Sequence, residues 1–204
     1  MKTPNFIWIK YPKQLENTIQ HGSLILDFVP HYKPEWHSIL KGEAHSIPEK
    51  NDLGIVDILI PGDTIYFHYL SADEENMHKE DGVNYLRIPM HKIFCYVRDG
   101  KIIPYGGHVL AKSVFDEDVE EVEVDGKKIP AKLSKSGLVT SLDVSFRENL
   151  SKVCYIGQPL EWDEPLEVVP GDIVIMEQLS HHKNIIENIE YFVFSQSDIL
   201  AILQ

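Results

Sequence analysis

The chain has 204 residues, of which 43% are hydrophobic and 25% charged, and its formal net charge is -13. These proportions are ordinary for a globular protein, and the length allows one large domain or two small ones. The negative charge, which no basic stripe offsets, argues against nucleic acid as a partner. No apolar run approaches the roughly 20 residues that span a bilayer, and no signal-peptide pattern is present, so we expect no membrane contact.

The strand signals follow one another at close spacing in both halves of the chain. In the first half they cover residues 6–9, 44–47, 64–69, 85–88 and 92–97. In the second half they cover residues 108–111, 153–156, 173–176, 191–194 and 198–203. No amphipathic helix longer than about three turns is visible. Short strands with frequent turns predict an all-β fold, with a small barrel or sandwich in each half.

The two halves also repeat each other. A Pro-Gly-Asp turn precedes a strand at residues 61–63 and again at 170–172, an offset of 109, and the strands that begin at Tyr85 and Tyr191 are offset by 106. A period of this size indicates two copies of one small domain. We place their boundary after Ile103, which gives domains of residues 1–103 and 104–204.

Connecting segments of three kinds are expected from the same pattern. Residues 73–81 have the polar composition of a solvated loop, and residues 99–107 that of a short linker between the domains. The acidic run 116–126 alternates apolar and charged residues, which predicts a hairpin arm turning at Asp125-Gly126 rather than a calcium loop.

Each half is interrupted at the same place by a segment longer than an ordinary loop, residues 11–40 and 113–150. Each segment contains a short aliphatic cluster that follows a glycine. The clusters are Leu24, Ile25 and Leu26 in the first half, and Leu138 and Val139 in the second. Loops of this length are usually functional or disordered. The alternative is that each cluster forms an extra strand covering the barrel.

The cysteines bear on the cellular compartment. Cys95 and Cys154 lie one in each half, each inside an apolar run, where a buried thiol is more common than a disulfide. Cysteines that stay reduced are typical of the cytoplasm, which is where we expect the protein.

The order of these motifs resembles the GroES-type co-chaperonins, the ten-kilodalton chaperonin family. In the second half, the turn 170–172, the Tyr-led strand and residues 197–202 are similar to the family's closing half, and residues 103–112 to its opening strand. In the first half, residues 5–10 and 61–97 correspond. The resemblance covers nearly the whole chain as a tandem duplication, and it implies two tandem GroES-like small β-barrels.

The resemblance also implies a function, that of a lid for a chaperonin. Family members form a ring of small barrels whose mobile loops dock an aliphatic segment on a nucleotide-bound chaperonin. Carried over, the chaperonin-binding residues are Leu24, Ile25, Leu26, Leu138 and Val139. The resemblance then implies a GroEL-type chaperonin ring as the partner, and it is the chaperonin that binds the nucleotide. This chain is expected to form a homo-oligomeric ring of its own and to assist ATP-dependent protein folding. The alternative is a GroES-like scaffold or binding module that has lost chaperonin contact.

Catalytic and metal-binding patterns are weak in this sequence. The ten histidines are scattered, without the spaced His and Cys pairs of a zinc site, so we expect no metal. No Ser-His-Asp grouping, glycine-rich phosphate loop or nucleophile elbow is visible, so we expect no catalytic residue, no cofactor and no enzyme activity. An enzyme with a GroES-like barrel would also need a nucleotide-binding domain, of which the sequence has no sign.

Overall fold

A computed structural model describes residues 5–12, 18–21, 24–27, 40–48, 59–115, 119–124, 127–133, 139–141, 146–158, 167–176 and 182–203. Its internal contacts divide the chain into two compact units, residues 1–106 and 107–204. The division falls between Gly106 and Gly107, a few residues beyond the boundary expected from the repeat. Whether each unit is a GroES-like barrel stays a prediction.

The described residues form strands joined by turns and single 3₁₀ turns. The first unit contains β1 (Phe6–Lys10), β2 (Thr18–His21), β3 (Leu24–Asp27), β4 (Lys41–Ser46), β5 (Thr64–Phe67), β6 (Met77–Glu80), β7 (Val83–Pro89), β8 (Ile93–Arg98) and β9 (Lys101–Pro104). The second contains β10 (His108–Phe115), β11 (Val119–Val124), β12 (Lys127–Leu133), β13 (Val139–Ser141), β14 (Phe146–Ile156), β15 (Ile173–Met176), β16 (His182–Ile186), β17 (Ile189–Ser195) and β18 (Ile199–Leu203). The 3₁₀ turns are Tyr69–Ser71, Glu74–Asn76, Met90–Lys92 and Gln196–Asp198.

The prediction of an all-β chain is confirmed. Within the described ranges no α-helix occurs, and no helix there is long and apolar enough to cross a membrane. All the strand pairs are antiparallel.

The main sheets of the two units have the same strand order. The first is a seven-stranded sheet with the order β6-β7-β1-β4-β5-β8-β9, and the second is a six-stranded sheet with the order β16-β17-β10-β14-β15-β18. Every strand of the first sheet except β9 therefore has a counterpart at the same place in the second. Each sheet keeps two edges among the described residues, so the closed barrels stay a prediction.

Alternating side chains build one core in each unit. In β1, Ile7 and Ile9 are buried, whereas Trp8 and Lys10 on the other face are half-buried and exposed. The first core contains Ile7, Ile9, Tyr11, Ala44, Leu59, Ile65, Phe67, Leu86, Ile88, Met90, Ile93, Tyr96 and Tyr105. The second contains Val109, Ala111, Val153, Val168, Val174, Met176, Phe192, Phe194 and Ile199. In β1 the inward positions recur at every second residue, whereas β5, β8 and β17 bury consecutive residues and therefore both of their faces.

The first Pro-Gly-Asp turn joins β4 and β5 through a compact set of hydrogen bonds. Gly62 has a φ of +96°, and a Cβ at this position would meet nothing within 4 Å, so backbone conformation and not space requires glycine. The Asp63 carboxylate accepts the N–H of Ile60 at 2.9 Å. Ala44 donates its N–H to the Asp63 carbonyl at 2.8 Å and accepts the N–H of Gly62 at 2.9 Å. These bonds fix the register of β4 against β5.

The second Pro-Gly-Asp turn repeats these bonds between β14 and β15. The Asp172 carboxylate accepts the N–H of Val169 at 2.9 Å. Val153 donates its N–H to the Asp172 carbonyl at 2.8 Å and accepts the N–H of Gly171 at 2.8 Å. Gly171 has a φ of +106°. The repeated sequence therefore marks a repeated backbone arrangement.

An ion pair distinguishes the first turn from the second. The Asp63 side chain is only 2% exposed and binds Arg98 twice, with Nε to Oδ1 at 2.8 Å and Nη2 to Oδ2 at 2.7 Å. Hydrogen bonding to the Asp63 carboxylate, with Arg98 as the donor, is the main reason why the pKa of Arg98 is raised. In the second unit β18 ends at Leu203, and the next residue in the sequence, the neutral Gln204, lies outside the described residues.

Two short strands lie where loops were expected from the sequence. The expected linker contains β9, which pairs with β8 across Asp99 and Gly100, at φ values of 51° and 72°. The expected solvated loop contains β6, which pairs with β7 across Asp81 and Gly82, at 49° and 79°. Two consecutive residues with positive φ make a type I′ hairpin turn, and Asp-Gly is its strongest short sequence signal. The polar composition of these segments favoured a loop over the hairpin that Asp-Gly indicates.

The cysteines differ in burial. Cys95 is buried and Cys154 is half-buried, and neither forms a disulfide in the described part of the chain.

We predict that Asp63→Asn lowers the free energy of unfolding of the first unit by about 2 kcal/mol, because Arg98 loses a partner in a part-buried site. The matched change Asp172→Asn should cost the second unit about 1 kcal/mol, because it weakens only the turn hydrogen bond. Native-state amide exchange of β5 and β15 measures the two units separately. Equal losses at the two positions would contradict a stabilising role for Arg98.

Candidate functional site

A small separate sheet is inserted at the same connection of each main sheet. In the first unit β2 and β3 lie between β1 and β4, and in the second unit β11, β12 and β13 lie between β10 and β14. The flanking strands hold corresponding places in the two strand orders. We call β2 and β3 the first arm, and β11, β12 and β13 the second arm.

The first arm is a hairpin that contains the first aliphatic cluster. Leu24, Ile25 and Leu26 belong to β3 and pair with His21, Gln20 and Ile19 of β2. Among the described residues β2 is the sole strand partner of β3, so β3 does not extend the seven-stranded sheet. The first cluster is therefore a strand, and its backbone pairs within the arm.

The second arm is a three-stranded sheet. β11 and β12 pair from Val119 with Lys132 to Val124 with Lys127, which confirms the expected hairpin pairing, and the turn residues Asp125 and Gly126 lie outside the described residues. β13 pairs with β12 through an irregular register. Val139, one of the two predicted binding residues here, begins β13, whereas Leu138 lies outside the described residues.

The hairpin of the second arm brings an acidic and a basic strand into register. β11 has the sequence Val-Glu-Glu-Val-Glu-Val, and β12 begins with Lys-Lys. Glu123 lies opposite Lys128. No group of three or more His, Cys, Asp or Glu residues in the described ranges is placed to hold a metal ion.

The second half of the chain matches a protein-family model. The model is described as chaperonin 10 Kd subunit, and it matches residues 101–203, half of the chain. The chain belongs to the chaperonin 10 Kd subunit family. No curated protein matches the chain.

Membership of the chaperonin 10 Kd subunit family supports a co-chaperonin-like function and a chaperonin partner at the level of the family. Co-chaperonins of this family are not enzymes. The match begins at β9, ends in β18 and spans the second arm. It therefore covers the whole second main sheet and leaves the first 100 residues unmatched.

The family match and the hydrogen bonds assign β9 to different units. Lys101–Pro104 lies inside the family match, yet it pairs with β8 of the first main sheet. Tyr105, which follows β9, is buried in the core of the first unit. A strand inside the family match thus extends the main sheet of the first unit.

We predict that the first arm opens more readily than the main sheet, because a two-stranded sheet is only marginally stable in water. The amides of β2 and β3 should exchange with solvent roughly 100-fold faster than those of Ile7 and Ile9 in β1. Hydrogen exchange followed by mass spectrometry of the full chain measures both. Equal protection of the arm and of β1 would show that the arm packs firmly onto its unit.

Proposed function

We propose that the protein is a co-chaperonin-like lid that binds a GroEL-type chaperonin ring and assists ATP-dependent protein folding in the cytoplasm. One observation carries the proposal. Two arms leave the two main sheets at corresponding connections, and each holds part or all of an aliphatic cluster. The chaperonin binds the nucleotide, and this chain acts by docking and not by catalysis. The family match over residues 101–203 supports the choice of partner.

The proposal includes a tandem duplication, in which the first unit is also a GroES-type domain and each main sheet closes into a small barrel. Three backbone features support it. The strand order is the same, and the hydrogen bonds of the Pro-Gly-Asp turns are the same. A β-bulge also lies at the same place, after Trp8 in the first unit and after Leu110 in the second. Bulges are specific structural features and not random defects.

Docking is proposed to involve Leu24, Ile25 and Leu26 in the first arm and Leu138 and Val139 in the second. Burying such a side chain contributes about 1.5–3 kcal/mol, part of which is lost in ordering the segment. A hairpin whose strands are already paired before docking has a smaller free-energy cost of ordering than an unstructured loop. Several arms on one ring then bind by avidity, while each single contact stays weak enough to release.

We predict that Ile25→Asp and Leu138→Asp weaken binding to a chaperonin in the presence of nucleotide. Each change places a charge in a contact that needs an aliphatic side chain, and one docked arm loses about 1.5–3 kcal/mol. Native mass spectrometry of the complex and inhibition of chaperonin ATP turnover measure the effect. Because the arms act together on a ring, the loss in overall affinity should exceed that of one arm.

Matched control changes are available outside the arms. Leu70 and Ile185 are aliphatic, 62% and 65% exposed, and lie one in each unit. Leu70→Asp and Ile185→Asp should leave chaperonin binding unchanged. If the unmodified chain neither binds a chaperonin nor slows its ATP turnover, the lid proposal fails and the protein is a scaffold or binding module. An effect of one arm variant alone would show that a single arm docks.

A homo-oligomeric ring is part of the same proposal, and an edge strand supports it. In the first unit β9 pairs along the outer edge of β8, whereas no described strand pairs along that edge of its counterpart β18. Leu200 and Leu203 of β18 are 67% and 43% exposed. An open edge with aliphatic side chains invites pairing with another chain, and symmetric assembly is the common outcome. We propose that a strand of a second copy covers β18.

We predict that the double change Leu200→Lys and Leu203→Lys shifts the assembly towards single chains, because lysine on an edge strand opposes pairing with another strand. Analytical ultracentrifugation over a range of protein concentrations measures the shift. Leu70→Lys, which adds one positive charge away from the edge, is the control. An unchanged assembly in the double variant would place the interface elsewhere.

A further inference from the structure

The outer face of the first main sheet carries a small pocket whose walls come from four strands of that sheet. It is lined by Trp8, His45, Glu80 and Tyr85. Three of its walls are aromatic rings, and the fourth is a carboxylate. Each residue belongs to a different strand, so the sheet itself holds the pocket together.

A β-bulge positions the first wall. β1 pairs with β4 through Trp8 with Ser46 and then Ile9 with Ala44, which leaves His45 as the extra residue. Such a residue is re-aimed relative to a regular strand. Although β1 lies between β4 and β7, the rings of His45 and Tyr85 are 4.8 Å apart. The bulge therefore brings His45 across β1 and onto Tyr85.

Glu80 is the carboxylate that remains available at the pocket. Its side chain is exposed, and within the described ranges it forms no ion pair. The nearby acid Glu43 is already bound to Lys10, whose Nζ lies 2.6 Å from Oε1. Arg87, the cation opposite Trp8 on β7, lies over the Phe6 ring, with Cζ 4.9 Å from the ring centre. A ligand cation would thus meet one uncommitted negative charge.

The second unit has the same strands but different residues at the corresponding positions. By register, the counterparts of Trp8, His45, Glu80 and Tyr85 are Leu110, Cys154, Ile186 and Tyr191. Leu110, Ile186 and Tyr191 are buried, and no carboxylate is among the four. The fold alone therefore does not require the pocket. Its aromatic and acidic lining is particular to the first unit.

We propose that this pocket binds a primary alkylammonium group. A primary ammonium head donates N–H hydrogen bonds that the Glu80 carboxylate can accept, whereas a trimethylated head has no N–H to donate. Aromatic faces attract a cation through the ring quadrupole, and Glu80 supplies the opposite charge. The net charge of -13 also raises the local concentration of cations around the chain. The group can belong to a free polyamine or to a lysine side chain.

The test uses the full chain labelled with 5-fluorotryptophan. Three tryptophans give three ¹⁹F signals, and Trp8→Phe identifies the one at the pocket. We expect n-butylammonium, added at constant ionic strength, to shift the Trp8 signal saturably, and n-butanol to leave it in place. Butyltrimethylammonium should bind more weakly than n-butylammonium.

Variants of Glu80 and His45 test the recognition of the ammonium group. Because both side chains are exposed, their substitution should leave the fold unchanged. Glu80→Gln should weaken n-butylammonium binding about fivefold, through the lost charge. His45→Ala should weaken it about threefold, through the lost ring. Glu75→Gln removes the same charge from an exposed site on the 3₁₀ turn before β6 and should leave binding unchanged.

Equal shifts with n-butanol, wild-type affinity in Glu80→Gln, or tighter binding of butyltrimethylammonium would each overturn the proposal. Spermidine and a lysine-containing tripeptide amide are then compared with n-butylammonium. Tighter binding of spermidine supports a free polyamine as the ligand, and tighter binding of the tripeptide supports a lysine side chain. Chaperonin binding does not enter these measurements, so their result stands apart from that of the lid proposal.

Discussion

Both units depend on a turn in which a carboxylate accepts a backbone N–H while the preceding glycine adopts a left-handed conformation. The turn holds β4 against β5 in one unit and β14 against β15 in the other. None of these four strands is an edge, so the register fixed here passes to the rest of each sheet. A slip of one residue would turn every inward side chain outward. The separation of core from outer face therefore rests on this small set of bonds.

The two units share backbone geometry and differ in side-chain chemistry. Where the first unit pairs Lys10 with Glu43 across β1 and β4, the second places Lys112 opposite Lys152 in the same register. The buried carboxylate of Asp63 has an arginine partner, whereas in the second unit the residue that follows β18 in the sequence is the neutral Gln204. The backbone arrangement of the two sheets is thus the same, whereas the polar side-chain contacts differ between the units.

Most of the fold follows from local patterns, and the exceptions have physical causes. The buried strands β1, β5, β8, β10 and β15 have apolar runs that predict them directly. β6 reads Met-His-Lys-Glu and has no such run, because it is an edge strand whose formation depends on the Asp-Gly turn and on β7. The first aliphatic cluster was compatible with loop or strand, since three apolar residues do not define a period. The pocket was beyond prediction, because its four residues meet only through a bulge and a strand register.

The hairpin from β8 into β9 has a consequence for how the first unit responds to dilution. β9 reaches the edge of β8 through two residues of the same chain, so this pairing is unimolecular and persists at any protein concentration. An edge covered by a separate molecule is protected only while that molecule stays bound. At nanomolar concentrations the first sheet therefore keeps β9 paired along β8, even when every partner molecule has dissociated.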